Sequence, residues 1–412
     1  MPVRRWLARH SVVLVSPVLL GLVLYLTWMG FAELGENWAS GTSVAARSLV
    51  IVGPVGAALA AWEADRLRRV SAATLPSVRS WAAVVLWSLW PVVLLCAAAL
   101  ALALGTVAPR MTDVPGTPHL GMLTVAGAMT LGFVLAGFGL GYRLRASFSI
   151  PVLLIGGWVV LVYPVAIEPL WVRHVFAELN CCATDQVVNP RVVLAPLVAA
   201  AGLVAAALVS GMGRGGRARG LAAVASVAVA VAGAAALVHR LDYQAGLPRT
   251  AGLGCAATRG VTVCLWTEHE RFRSRWAPSL TAAVERLAGA GLPAPERLTE
   301  GPPRSPQDWT FRVTGDATAD DTVMALVAGM IPPMPTCATH GPWPGDAAID
   351  PTGAWLALTA GLPADLVAQR ISPEGVATAQ RVRALDHTRQ RAWFDRNLAA
   401  MRDCRTEPGG PA

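Results

Sequence analysis

The chain has no lysine: all 34 of its basic residues are arginine, against 26 acidic residues. A nucleotide-binding P-loop needs a lysine at the phosphates, and a Schiff-base enzyme needs a lysine amine. Both chemistries are therefore excluded from this chain. Ala, Val, Gly, Arg and Pro are abundant in the sequence, which is typical of a protein from a GC-rich bacterial genome.

Charged residues are also scarce. They make up 15% of the 412 residues, whereas 54% are hydrophobic. Soluble proteins carry about 25% charged residues, so the composition favours a membrane protein whose partner is the lipid bilayer. The net charge of +8 does not indicate nucleic acid binding, because the arginines lie between apolar runs and form no single basic face with interleaved aromatic residues.

Seven apolar stretches have the length of about 20 residues that a helix needs to cross a bilayer. They cover residues 12–31, 44–62, 81–107, 120–142, 150–167, 192–212 and 221–238. A cleaved signal peptide is the alternative for the first stretch, since arginines precede it, but the run is long and lacks a small-x-small cleavage site. We therefore predict a transmembrane domain over residues 1–240.

Arginines are segregated between the two sets of connecting segments. Twelve fall at the N-terminus and in every second loop after it, and four fall in the alternate loops: Arg47, Arg110, Arg173 and Arg191. Because arginine-rich loops stay in the cytoplasm, we expect a cytoplasmic N-terminus. An odd number of spans then places a C-terminal domain, residues 241–412, outside a bacterial cell membrane.

The cysteines agree with this topology. Cys96 falls inside the third predicted span, and the other six fall on the predicted outer side, where an oxidising compartment permits disulfides: Cys181, Cys182, Cys255, Cys264, Cys337 and Cys404. A turn-like segment predicts a local bridge between Cys255 and Cys264, and a Cys337–Cys404 bridge would fasten the last helix. Because a vicinal disulfide is strained, we expect Cys181 or Cys182 to reach the C-terminal domain.

Metal, cofactor and catalytic sites are not predicted. No CxxC pair occurs, as a cysteine zinc site would need. Glu268-His269-Glu270 resembles the start of an HExxH zinc motif, but Arg273 stands where the second histidine belongs. We therefore interpret this segment as the surface start of a helix. No GxSxG occurs either, and we expect the chain not to be an enzyme.

The C-terminal domain has mixed polar and amphipathic patterns. Val261–Trp266 alternates and predicts a strand, as does 309–314, while helices are predicted around Trp276 to Leu287 and over 321–330. The rest of the domain is expected to be mainly helical. The predicted fold class is an all-α polytopic bundle of about seven transmembrane helices with a small, mainly helical α+β extracellular C-terminal domain.

A charged segment, 63–79, follows the second predicted span, and a polar excursion, 168–190, follows the fifth. This arrangement resembles the membrane (permease) subunit of type-two ABC exporters. The phrases 264–269 (CLWTEH) and 354–358 (AWLAL) are similar to those of actinobacterial polytopic membrane proteins encoded near ABC ATPases. The resemblance implies a separate ABC ATPase subunit and a homo- or heterodimeric permease partner. It also implies an ATPase-docking loop with six charged residues: Glu63, Asp65, Arg66, Arg68, Arg69 and Arg79.

Acidic residues avoid the middle of the predicted spans, so ion-coupled transport lacks its usual carrier groups. We therefore expect a permease-like protein that exports a hydrophobic or peptide-like substrate with the energy supplied by another chain. A membrane-anchored extracellular binding or assembly protein without transport activity is the alternative. A membrane-embedded hydrolase is a third hypothesis, which rests only on the broken motif at His269.

Overall fold

The structure is a computed structural model that describes residues 11–70, 80–177, 181–211, 217–341 and 343–410. The chain divides into two compact units, Met1–Pro248 and Arg249–Ala412. Each unit has hydrophobic clusters of its own.

The first unit is helical. Its described helices are α1 (Ser11–Met29), α2 (Trp38–Ala46), α3 (Leu49–Arg69), α4 (Trp81–Val107), α5 (Leu120–Arg143), α6 (Ala146–Val162), α7 (Pro190–Gly211) and α8 (Arg217–Val238). Among the described residues, seven helical segments are long and apolar enough to cross a membrane, as the sequence predicts. The second of them, Trp38–Arg69, joins α2 to α3 and is longer than the predicted 44–62.

Helix α3 lies at the centre of this unit. In the span that contains it, 78% of the most apolar window is buried, compared with 17% in the first and last spans. Helix α5 packs against it through Gly137 and Gly141, where an added Cβ would overlap the backbones of Ala57 and Ala61. Small residues four apart let two membrane helices approach to backbone contact. The two glycines therefore let α3 and α5 meet at backbone distance.

Two short strands complete the first unit. Strand β1 (Gln186–Val188) precedes α7, and β2 (Gly246–Pro248) follows α8. They pair antiparallel, with Val187 opposite Leu247. This pairing fixes the segment before α7 against the segment after α8.

The second unit combines a four-stranded sheet with six helices among its described residues. The strands are β3 (Leu253–Thr258), β4 (Val261–Trp266), β5 (Arg297–Thr299) and β6 (Asp308–Thr310). The helices are α9 (Arg273–Gly289), α10 (Ala319–Met330), α11 (Asp346–Thr359), α12 (Ala364–Arg370), α13 (Pro373–Arg383) and α14 (His387–Arg402). In the sheet order β3-β4-β5-β6, β3 and β4 are antiparallel and the other pairs are parallel.

The core of the second unit is aromatic. Trp276 from α9, Trp355 from α11 and Trp393 from α14 are each at most 2% exposed, and they belong to one cluster with apolar residues of the sheet. The Trp276 indole N–H donates to the Ala317 carbonyl, and that of Trp355 donates to the Gln390 side chain. Large indoles bury much apolar area while their N–H groups need acceptors, so these bonds fix how the helices cover the sheet.

Candidate functional site

The last two turns of α3 carry five charged residues, which we call the charged end of α3: Glu63, Asp65, Arg66, Arg68 and Arg69. Glu63 pairs with Arg66 at 3.1 Å, and Asp65 pairs with Arg68 and, at 2.6 Å, with Arg69. Spacings of three and four residues bring such pairs together on a helix surface, and arginines suit the negative end of the helix dipole. The prediction of a loop from Glu63 onward is therefore wrong, because these pairs continue the helix.

Burial divides the charged end into two layers. The side chains of Glu63 and Asp65 are 4% and 2% exposed, whereas those of Arg66 and Arg69 are 49% and 71% exposed. The Ser11 hydroxyl donates to Glu63 Oε1 at 2.7 Å, which ties the start of α1 to this end of α3. Removing the partner of a buried carboxylate is strongly destabilising, so the two acids act as fixed anchors for the arginines.

The charged end of α3 carries a net positive charge. Its three guanidinium groups against two carboxylates leave a net charge of +1. Arginine offers a planar set of donors to carboxylates and phosphates, and charged rims set the rate and specificity of association. Of the predicted docking residues, the structure brings these five together on one helix, and Arg79 lies outside the described residues.

The disulfides of the second unit match the predicted pairs. Cys255 and Cys264 stand opposite each other on β3 and β4 and are bonded. The strands are joined at Arg259 and Gly260, both at positive φ, which suits the tight turn of a two-residue hairpin. Cys337 is bonded to Cys404, which follows α14, across 67 residues of chain.

Cys181 and Cys182 are bonded to each other. The expectation that one of them reaches the C-terminal domain is therefore wrong. The physical reason is their anchoring within the first unit: the Asn37 side chain donates to the Cys182 carbonyl at 3.0 Å, and the Cys181 N–H donates to the Ser43 hydroxyl at 3.4 Å. The pair lines a cavity of about 340 Å³ together with Glu33 and other polar residues.

The sequence predicts that His269 lies at the surface, at the start of a helix. This prediction is wrong, because His269 is buried. It is 1% exposed, its Nδ1 lies 2.6 Å from Glu300 Oε1, and its ring packs edge-on against Trp276. Glu300 also accepts the Trp266 N–H at 2.8 Å. A buried carboxylate needs such partners. The arrangement links the turn after β4 to the segment after β5, and among the described residues no group of His, Cys, Asp and Glu forms a metal site.

A groove of about 440 Å³ lies on the second unit and is acidic. Asp346, Asp350 and Glu374 line it, and Trp393 contributes to its wall. The Trp393 indole N–H is buried without a hydrogen-bond acceptor in the described part of the chain. An unsatisfied buried donor is uncommon in folded proteins. The groove therefore presents three carboxylates, and its wall contains the Trp393 indole N–H, which has no acceptor in the described part of the chain.

Two acidic side chains of the second unit have perturbed acidity. Hydrogen bonds from the Thr318 hydroxyl and N–H, with Arg370 nearby, hold the pKa of Asp321 below its usual value. Burial alone would raise the pKa of Asp308, but the Arg304 N–H and the Arg297 guanidinium lower it further than burial raises it. Both carboxylates therefore stabilise the fold in their charged form, as capping and ion-pair groups.

Residues 263–404 match a protein family described as a domain of unknown function (DUF7224). The match begins within β4 and ends at Cys404, so it lies inside the second unit and contains His269, Glu300 and Trp393. No curated protein and no solved structure matches the chain.

Proposed function

We infer that the chain is a permease-like subunit of a bacterial cell membrane, which exports a hydrophobic or peptide-like substrate with a separate ABC ATPase. In this proposal the N-terminus and the charged end of α3 face the cytoplasm, and the second unit is extracellular. The chain itself is not an enzyme, and it pairs with a second permease subunit, either another copy or a related chain.

The observation that carries the proposal is the charged end of α3. An ATPase that drives a membrane subunit must hold a rigid feature of it, so that movement of one is transmitted to the other. The buried Glu63 and Asp65 anchor Arg66, Arg68 and Arg69 at the end of the most buried span. Positive side chains fixed by buried acids suit an acidic surface on a partner.

The alternative is a membrane-anchored extracellular binding or assembly protein. The acidic groove of the second unit favours it, because three carboxylates and an unsatisfied Trp393 N–H suit a ligand with both cationic and acceptor groups. In this case the seven spans hold the second unit at the cell surface, and the charged end of α3 has no ATPase partner.

Purification from native membranes in mild detergent distinguishes the two functions. We expect the full chain to retain an ATP-binding polypeptide, detected by photo-crosslinking with an ATP analogue and by mass spectrometry. Arg68→Ala should reduce its retention several-fold, since Asp65 keeps Arg69 as a partner and the helix end stays intact. Arg191→Ala, an exposed arginine at the start of α7, is the control.

Retention that is equal in Arg68→Ala and Arg191→Ala would contradict docking at the charged end of α3. A clean preparation that holds no ATP-binding polypeptide would contradict the permease function. Binding of a cationic peptide to the chain, lost in Asp350→Asn, would then favour the anchored binding protein.

A further inference from the structure

A second cavity, of about 430 Å³, lies between the charged end of α3 and the first turns of α6. Trp62, Arg66 and Arg69 line it from α3. Their spacing of four and then three residues places them on one face of the helix. Ser147 and Ile150 line it from α6. The cavity therefore has guanidinium groups on one wall and the beginning of an apolar helix on the other.

The electrostatics of this cavity favour an anion. Asp65 also lines it, but Arg68 and Arg69 already pair with that carboxylate. Arg66 pairs with Glu63 and Arg69 with Asp65, yet these two arginine side chains remain 49% and 71% exposed. The first turn of α6 also faces this region, and the residue before it, Arg145, makes no side-chain cap to the backbone N–H groups of the turn. The positive end of the helix dipole is thus directed to the same region as the guanidinium groups.

The cavity also lies at an apolar-to-polar boundary. Trp62 is 48% exposed, and it directly precedes Glu63, the first charged residue of this end of α3. Exposed tryptophans of membrane helices gather at the headgroup level of the bilayer. On α6, Ser147 is followed by Ile150 and Pro151 within a span-length helix. A molecule with a phosphate at one end and an apolar chain at the other fits both walls, and basic pockets between membrane helices bind such lipids.

We propose that this cavity binds the headgroup of an anionic phospholipid, with Arg66 and Arg69 on its phosphate and its acyl chains along the apolar part of α6. The site goes beyond the proposed function, because it needs only the chain and the bilayer. The docking test alters Arg68, whereas the lipid site is tested at Ser147 and Arg69. A negative result in the docking test therefore does not decide the lipid test, and a negative result in the lipid test does not decide the docking test.

Native mass spectrometry of the purified full chain, released from mixed micelles of phosphatidylglycerol and phosphatidylcholine in equal amounts, tests the site. We expect the wild type to retain phosphatidylglycerol in preference to phosphatidylcholine. Ser147→Asp should lower this preference by about fivefold, the effect of one charge near a membrane surface. The new carboxylate repels a phosphate, yet it suits the first turn of a helix and replaces none of the residues that form the ion pairs of α3.

Ala82→Asp is the matched control, since Ala82 is the exposed second residue of α4 as Ser147 is of α6. It should keep the wild-type preference, while Arg69→Gln should lose it. Equal retention of both lipids by the wild type, or an unchanged preference in Ser147→Asp, would overturn the proposal. Inorganic phosphate at millimolar concentration is the remaining control. If it displaces phosphatidylglycerol and by itself raises thermal stability as much as the lipid does, the cavity binds a free anion, and the lipid proposal is overturned.

Discussion

Replacing Gly137 by alanine would put a methyl group against the backbone of Ala57, which is itself completely buried. The neighbouring atoms are backbone and not the end of a flexible side chain, so α3 and α5 would have to move apart. Overpacking of this kind costs about 1–3 kcal/mol. Alanine is a better helix former than glycine by about 1 kcal/mol, which offsets part of that cost. We expect a net loss of up to about 2 kcal/mol.

Gly141→Ala should behave in the same way, because its Cβ would overlap the backbone of Ala61. Gly139 provides the control on the same helix, since a Cβ there would meet other atoms only at 3.7 Å or beyond. Gly139→Ala should therefore be neutral or should stabilise the protein by up to about 1 kcal/mol. Each of the three variants adds one methyl group to the same helix of the wild type. A change in composition or hydropathy therefore cannot account for a difference in stability between them.

Thermal unfolding of the three variants in the same detergent, followed by near-UV circular dichroism, checks this order. The expected order of stability is Gly139→Ala at or above the wild type, and Gly137→Ala and Gly141→Ala below it. Equal stabilities for all three would refute the inference that α3 and α5 meet at backbone distance.

Two further predictions concern the second unit. Loop-closure entropy predicts that loss of the Cys337–Cys404 bridge, across 67 residues, lowers the free energy of unfolding by about 4 kcal/mol, against about 3 kcal/mol for Cys255–Cys264. Urea titration of variants in which both cysteines of a bridge are replaced by serine measures the two losses. The reverse order would contradict the prediction. Because Asp321 has a pKa below its usual 3.8, the unfolded chain takes up a proton more readily there. Its stabilisation is therefore present above about pH 4 and is lost as the pH falls further. Asp321→Asn should weaken the loss of stability between about pH 5 and pH 3, and an unchanged pH dependence would contradict the capping role.

Hydropathy was sufficient to predict seven span-length helices, because a membrane helix needs a long apolar run and no distant partner. It could not predict how far α3 extends. Residues 63–69 are charged and hydropathy ends the span before them, whereas the pairing of Glu63 with Arg66 and of Asp65 with Arg69 continues the helix. The i,i+3 and i,i+4 spacing of opposite charges was the available signal.

Contacts between distant residues account for the other differences. The local sequence predicts a surface position for His269, because its partner, Glu300, lies 31 residues away and nothing in the local pattern marks the pair. The strand Arg297–Thr299 is too short to show an alternation, so the parallel part of the sheet was not predicted. The alternating Val261–Trp266 strand was predicted correctly, since its pattern is local.

One cysteine pairing follows from the local sequence pattern, and another depends on contacts with distant residues. Cys255 and Cys264 lie on a hairpin, so their pairing follows from local geometry. Cys181 pairs with its neighbour because Asn37 and Ser43, more than 130 residues earlier, hold the segment in place. Nothing in the sequence around Cys181 indicates that contact.

The proposed function requires the charged end of α3 and the second unit to lie on opposite sides of the membrane. Single cysteines at Ser147, beside the charged end, and at the exposed Glu285 of α9 test it in a Cys96→Ala background. In intact cells, a membrane-impermeant maleimide should label Glu285→Cys at once and Ser147→Cys only after the membrane is opened. Labelling of both cysteines in intact cells, or of neither, would contradict the claim.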